Sequence, residues 1–193
     1  MIGMGLVGNF AAQIFQLSGA DVMAVDISDL RLEKAHECGI LKILNSSDRD
    51  LNEAVMDWTG GQGARIVVEA IGISELIAQA SSMTRRHGEL ILLGTPRAHA
   101  VFDATPMLLD IHMKAIKMIG ALEWTWSQNP VYRARDITGN YKLLVEWITE
   151  GKIQTRPLLT QIAKPEQCQD IYEGLTQNKD KYLSAVFDWT GSK

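Results

Sequence analysis

The chain has 193 residues, 46% hydrophobic and 22% charged, and its 19 basic and 23 acidic side chains give a formal net charge of −4. That balance describes one ordinary folded domain with a core, not a disordered segment. It also excludes a strongly basic nucleic-acid binder, since no Lys/Arg block is present to track phosphates. Cys38 and Cys168 stand too far apart to form a disulfide framework or a clustered metal motif.

The first twenty residues carry no charge, and Asp21 is the first ionisable side chain. No Lys or Arg precedes the apolar stretch, so a signal peptide is not indicated. Gly3, Gly5, Gly8, Asn9, Gln13, Gln16 and Gly19 break it too often for a membrane-spanning helix. With no targeting signal and no second candidate span, the expected compartment is the cytoplasm. Isolated cysteines suit that reducing environment.

A local reading accounts for the opening better. Gly3-Met4-Gly5-Leu6-Val7-Gly8 is a GxGxxG. The residues from Asn9 to Leu17 follow, with Phe10, Ile14 and Leu17 at helical spacing, and Gly19 closes that helix. Asp21 to Asp26 then reads as a short buried strand ending in an acid. The first glycine allows a tight turn, the second lets backbone approach a pyrophosphate, and the third lets helix pack on sheet. The free N–H groups and partial positive charge of the helix start replace a lysine. Asp26 lies where an acid accepts hydrogen bonds from the adenosine ribose. A GxGxxG alone is weak evidence, but here a helix, a strand and an acid stand in register with it.

The remainder alternates. Ser28 opens a helix through about Glu37, with Asp29 in its first turn and Gly39 at its stop. Leu41 to Leu44 is a strand, Leu51 to Trp58 a helix ended by Gly60-Gly61, and Arg65 to Ala70 a fully buried strand. Ser74 to Met83 is a helix and Gly88 to Gly94 a strand, followed by a Thr95-Pro96 loop. Pro106 to Met113 is a short helix, and Ala115 to Leu122 a strand. Glu123 to Tyr141 is irregular and carries Trp124, Trp126, Pro130, Tyr132 and Arg133. It reads as a surface loop folded on the core rather than a substrate rim or an interface. Tyr141 to Glu150 is a helix. Pro165 opens another, with Cys168, Ile171, Tyr172 and Leu175 on one face. Tyr182 to Trp189 is the last strand. Apolar strands alternating with helices predict an α/β fold, a parallel sheet covered on both faces.

These residues resemble the coenzyme-binding half of the medium-chain dehydrogenase/reductase superfamily, the zinc-type alcohol, sorbitol and threonine dehydrogenase relatives. The matching stretches run nearly end to end. They include Gly3-x-Gly-x-Val-Gly8, Ala11-Ala12-Gln13, Asp26, Arg31-Leu32-Glu33-x-Ala35, Thr59-Gly60-Gly61-x-Gly63-Ala64 and Val68-Glu69-Ala70-Ile71-Gly72. Gly88 to Gly94, Gly151-Lys152-Ile153 and Tyr182 to Asp188 continue them. The resemblance implies a Rossmann-type doubly wound parallel sheet. It implies a pyrophosphate turn at Gly3, Gly5, Leu6, Val7 and Gly8, with Asp26 on the adenosine ribose and NAD favoured over NADP. Arg31 would lie beside that ribose, or else be a solvated helix charge. Ile71, Gly72, Gly94 and Thr95 would meet the nicotinamide through backbone. Glu69 reads as a structural or cofactor-side acid rather than a base. A homodimer would form along the edge strand Ala115 to Leu122.

In such relatives a barrel-like, GroES-like catalytic domain precedes this one and carries the zinc ligands and proton relay. None of its motifs occurs here. His36, His87, His99 and His112 fall in no metal-ligand spacing, so no catalytic or metal-binding residue is assigned. Only Met1 and Ile2 precede the motif, where a strand of about five residues is expected. The expectation is therefore an N-terminally truncated chain. Residues 1–150 would be the Rossmann domain, and 151–193 a segment that in the family returns toward the catalytic domain. Its function would be the cofactor-binding part of an enzyme that moves hydride between NAD and an alcohol, polyol or carbonyl substrate, inactive alone. One alternative is a non-catalytic dinucleotide-binding remnant or subunit. A second is an S-adenosylmethionine methyltransferase, disfavoured by the missing acid-led first strand and by the pattern from Gly88 to Pro96. No nucleic acid or membrane partner is expected.

Overall fold

The computed structural model describes residues 1–122 and 137–190. In chain order the elements are α1 (Leu6–Leu17), β1 (Met23–Asp26), α2 (Asp29–Glu37), β2 (Lys42–Asn45), α3 (Leu51–Trp58), β3 (Ala64–Glu69) and α4 (Ser74–Met83). They continue as β4 (Thr84–Leu92), α5 (Thr105–Lys114), β5 (Lys117–Gly120), α6 (Ile137–Thr149), β6 (Gln161–Ala163), α7 (Cys168–Gln177) and β7 (Ala185–Phe187). Short 3-10 turns lie at Arg156–Leu158 and Pro165–Gln167. Every strand pairing is parallel, as βαβ connections require. The residues gather into two compact units, one of Met1–Gly3 with Ser46–Lys142 and the other of Met4–Asn45 with Leu143–Lys193.

In the unit of Met4–Asn45 and Leu143–Lys193, β1 lies beside β2 and β6 beside β7. Met23 is in register with Lys42, and Asp26 with Asn45. Helix α1 buries Gly8, Asn9, Ala12 and Gln13. Two of these are amides, and among the described residues Asn9 Nδ2 has no hydrogen-bond partner while the Gln13 amide is bonded at both ends. Gln13 donates to Asn9 Oδ1 at 2.8 Å and to the Gln154 carbonyl at 3.1 Å, and it accepts from the Gln154 N–H at 2.7 Å. One side chain thus ties α1 to a segment 141 positions away. One apolar cluster there is Cys38, Leu158 and Leu183, with Phe10 and Leu30 packed against them.

In the other unit the strand order is β3-β4-β5. Val67, Val68, Leu90, Ile77, Ala80 and Met83 are buried there; consecutive burial at 67 and 68 marks a strand covered on both faces, and Ile77, Ala80 and Met83 recur at helical spacing on α4. Ile2 makes a parallel bridge to β3. Its N–H donates to the Val68 carbonyl at 2.8 Å, and its carbonyl accepts from Ala70 at 2.9 Å. A single residue thus stands where the sequence led us to expect a whole strand.

Element boundaries shift for identifiable reasons. Helix α1 starts at Leu6, inside the glycine motif, because Gly5 is its N-cap. Ser28 does sit at the N-cap of α2, but its hydroxyl makes no capping bond. Strand β4 begins at Thr84 rather than Gly88. Thr84 pairs with Ala64 while Glu89 pairs with Ile66, so the intervening residues form an excursion, with His87 at φ +57°. Ala115 is not in a strand. It takes the left-handed conformation (φ +52°) as the C-cap of α5, and β5 runs only from Lys117 to Gly120. Strand β6 was not anticipated, being three residues long. Of the irregular segment, Trp124, Trp126, Pro130, Tyr132 and Arg133 lie outside the described residues. Among the described residues no helix is long and apolar enough to cross a membrane.

Burial pushes the Cys38 thiol up to about 11 from its ordinary 9.0. The unfolded chain therefore loses the thiol proton first, and the stability this contributes is intact below about 9 and lost as pH rises through about 11. Urea midpoints measured from neutral pH upward should fall in this alkaline window, and the Cys38→Ala variant should show a shallower fall. Equal slopes would show that Cys38 does not carry the effect.

Candidate dinucleotide site

Gly5 is extended (φ −62°, ψ −178°), and the first helical bond of α1 runs from the Asn9 N–H to the Gly5 carbonyl at 2.9 Å. The amides of Leu6, Val7 and Gly8 thus have no partner within the helix. No acidic side chain stands in the first turn of α1. Leu6 and Val7 are 38% and 60% exposed, so this end of the helix is open to solvent. A Cβ built on Gly5 meets nothing within 4 Å, which leaves room directly at the helix start. An anion placed there would meet N–H groups and the positive end of the helix dipole.

Asp26 ends β1 and is 3% exposed. Its Oδ1 accepts from the Ile27 and Ser28 amides at 2.8 and 3.0 Å. Its Oδ2 accepts from the Met4 N–H at 2.7 Å, inside the glycine motif itself. Arg31 Nη1 stands 3.5 Å from Oδ2, an ion pair rather than a tight hydrogen bond. The acid therefore first fixes the local backbone, and one Oδ2 lone pair is left shared with a guanidinium. Two buried polar atoms nearby lack a partner, Ser28 Oγ and Arg31 Nε. Buried groups of this kind are rare unless something else satisfies them. A ribose diol offers both the donors and the acceptors that this cluster of an acid, a hydroxyl and a guanidinium can use. The residues of this unit therefore fit the adenosine and diphosphate parts of a dinucleotide.

The other predicted residues lie in the unit that holds β3 and β4. Gly3 has φ +93°, and a Cβ there would lie 2.5 Å from Ile71 Cγ1. Gly72 has φ +88°, and its Cβ would meet the Thr95 carbonyl oxygen at 2.2 Å. A Cβ on Gly94 would meet the Gly72 nitrogen at 2.3 Å. Gly3, Ile71, Gly72, Gly94 and Thr95 are thus brought together by contacts only glycine permits. Glu69 ends β3 with 0% exposure, and its carboxylate accepts from the Ile71 and Gly72 amides. Sequence reasoning read Glu69 as a structural or cofactor-side acid and Ser28 as the opening of a helix, and it missed that the Ser28 hydroxyl goes unsatisfied. The available signal was position alone, an acid ending a buried valine-rich strand and a serine two residues after another strand-ending acid.

Among the described residues no group of three His, Cys, Asp or Glu side chains could hold a metal ion. They do not fit a zinc site.

Known proteins are similar to this chain along most of its length. A sequence model of the zinc-binding dehydrogenase family matches residues 7–136. Sorbitol dehydrogenase of Bacillus subtilis (strain 168) is 26% identical over 187 residues, which is 96% of this chain and 48% of that protein. An oxidoreductase/dehydrogenase of unknown specificity from Escherichia coli superposes with a TM-score of 0.80 at 22% identity, covering 97% of this chain and 49% of that one. An alcohol dehydrogenase of Escherichia coli CFT073, complexed with cofactor NADH, superposes with a TM-score of 0.73 at 17% identity over 95% of this chain and 50% of that one. Likeness at these structural identities establishes the Rossmann-type fold. The chain spans about half the length of the curated relatives it matches.

The two glycines Gly94 and Gly5 should separate in their effect on stability. Gly94→Ala forces a methyl against backbone and is expected to cost about 1–3 kcal/mol. Gly5→Ala meets open space at a φ any residue adopts and should change stability by less than about 1 kcal/mol. Chemical denaturation of both variants checks this, and equal losses would contradict the packing described.

Proposed function

The chain belongs to the zinc-binding dehydrogenase family, within the medium-chain dehydrogenase/reductase superfamily, as its coenzyme-binding part, and on that footing we propose that it binds NAD rather than NADP. The enzyme it serves would move hydride between that cofactor and a small alcohol or polyol, or the corresponding carbonyl. The observation that carries this reading is the charge-free, open N-terminus of α1 followed by a buried acid at the end of the next strand. Bound NAD would supply the hydride chemistry itself.

The chain's own residues bind and orient. The amides of Leu6, Val7 and Gly8 would receive the diphosphate, with Gly3 and Gly5 giving the backbone its approach. Asp26 would accept from the adenosine ribose and repel a 2′-phosphate, the basis for NAD over NADP. Arg31, already beside Asp26, would flank the same ribose. Ile71, Gly72, Gly94 and Thr95 would present backbone to the nicotinamide. The β5 strand ends the sheet order β3-β4-β5 with all four residues exposed, Met118 and Ile119 at 38% and 39%. That edge would receive the same strand of a second copy.

Titration of the purified chain with NADH and NADPH, followed by tryptophan fluorescence, tests the reading. Saturable NADH binding is expected, with NADPH at least tenfold weaker, a difference of about 1.4 kcal/mol. Gly5→Ala should weaken NADH by a similar factor without loss of fold. Turnover of simple alcohols or polyols is not expected from these residues alone. Turnover at an enzyme's ordinary rate would overturn that part, and absence of NADH binding would overturn the dinucleotide reading itself. Sedimentation should show a dimer that Ile119→Lys dissociates, and a monomeric parent chain would remove the β5 pairing.

A further inference from the structure

At the start of β4 the ladder opens. Ala64 pairs with Thr84 and the next pair is Ile66 with Glu89, so Arg65 alone on β3 faces four residues on β4, Arg85, Arg86, His87 and Gly88. Both ends of this excursion are fixed. Thr84 is 1% exposed and donates its hydroxyl to the Ala80 carbonyl at 2.7 Å. A Cβ on Gly88 would lie 2.8 Å from the Arg85 carbonyl oxygen and 3.0 Å from that of Arg65. Arg65, Arg86 and His87 are exposed and Arg85 is half-buried. His87 holds φ +57°, a conformation that costs energy for a residue with a Cβ. Arg86 donates to the Met113 carbonyl at 3.1 Å, but among the described residues none of the three arginines has a carboxylate partner. Glu89 is in register with Lys117, and those two charges offset one another. Unpaired positive charge thus gathers at one place in a chain of net charge −4.

The same unit carries the opposite surface. Asp50, Glu53 and Asp57 recur at helical spacing along α3, and all three are exposed. They line a shallow hollow with Arg49, Asn52 and Met56. Arg49 is already bonded to Asp57, so the charge left over in the hollow is negative. The two surfaces adjoin. Thr59, the C-cap of α3, accepts through Oγ1 from the Gly63 N–H at 2.9 Å, and a Cβ on Gly63 would lie 3.1 Å from the Arg85 nitrogen. Gly63 therefore stands between the end of α3 and the excursion. Neighbouring patches of opposite sign suit a two-fold contact, because rotation about an axis between them lays each patch on its opposite.

We propose that two copies of the chain dock about such an axis, with Arg65, Arg85 and Arg86 of each copy seated on the α3 carboxylates of the other. A guanidinium fork matches a carboxylate through two parallel hydrogen bonds. A long polyanion such as duplex DNA would run from the arginines onto the α3 carboxylates and be repelled, whereas a second copy brings both charges in the required order. Surface ion pairs are individually weak and are screened by salt, so the contact is salt-labile. It is separate from the β5 edge, where Met118 and Ile119 offer apolar contact that salt does not screen, and it does not depend on the dinucleotide reading.

Sedimentation of the full chain at about 0.01 M and about 1 M salt, where the Debye length is about 30 Å and about 3 Å, tests the contact. The mass at low salt should be twice that at high salt. Arg85→Glu with Arg86→Glu, and separately Glu53→Lys with Asp57→Lys, should each abolish this step. Mixed in equal amounts at low salt, the two variants should pair with each other, since each supplies the charge that the other now needs. An unchanged mass at the two salts would overturn the proposal. So would a loss confined to one variant, or losses that mixing does not restore. Should a charge-reversed variant fail to fold, read by thermal denaturation, the neutral forms Arg85→Gln with Arg86→Gln and Glu53→Gln with Asp57→Asn replace it. Each should weaken the low-salt association at least tenfold, and no change in either would overturn the proposal. Binding of duplex DNA or of poly-glutamate by a parent chain whose mass ignores salt would give the excursion another occupant and overturn it too.

Discussion

Two carboxylates end strands, one in each unit, and each is buried almost completely. Asp26 closes β1 and Glu69 closes β3. A buried charge must be met by donors, and in both cases those donors are the backbone amides of the turn that follows. That constraint shapes everything near the candidate site. It sets the direction of the peptides at 27–28 and at 71–72, and through the Met4 amide it reaches into the glycine motif. The acids are scaffolding first, and what ligand-binding capacity they have is what remains after the backbone is satisfied.

The glycines answer the same constraint from the steric side. Gly3, Gly72 and Gly94 stand where a methyl group would overlap a neighbouring backbone or side chain, so the strand exits can close on one another. Gly5 is different. Nothing lies near its missing Cβ, and its value is the space it leaves in front of the α1 amides. One short motif thus contains a glycine with no room for a side chain and a glycine that stands in open space. Only the second kind points to a ligand.

Much of the fold was legible because burial imposes periodicity. Strands β1, β3 and β4 and helices α2, α3 and α4 carry apolar runs or faces that local rules recognise. Their ends were less legible. Ala115 favours no left-handed conformation, so its place as the cap of α5 follows from how the chain turns toward Ile116, which is 6% exposed. Strand β6 is too short to display a period. The early start of β4 at Thr84 depends on its pairing with Ala64, a non-local contact invisible from the segment itself. Within the site, the glycine spacing and Asp26 could be read directly, while the unsatisfied Ser28 hydroxyl and the bonds of Glu69 could not.

The sequence by itself determined the alternation of strand and helix, the charge-free helix start and the acid that follows it, because each depends on residues close together in the chain. It also determined the family, through the order of many short stretches. Only the tertiary structure decided what the buried acids bond, which glycines are crowded and which stands in the open, and that Ile2 bridges to β3. Those outcomes depend on backbone groups brought together from distant positions, and hydrogen bonding and steric overlap act over a few ångströms of space rather than along the chain.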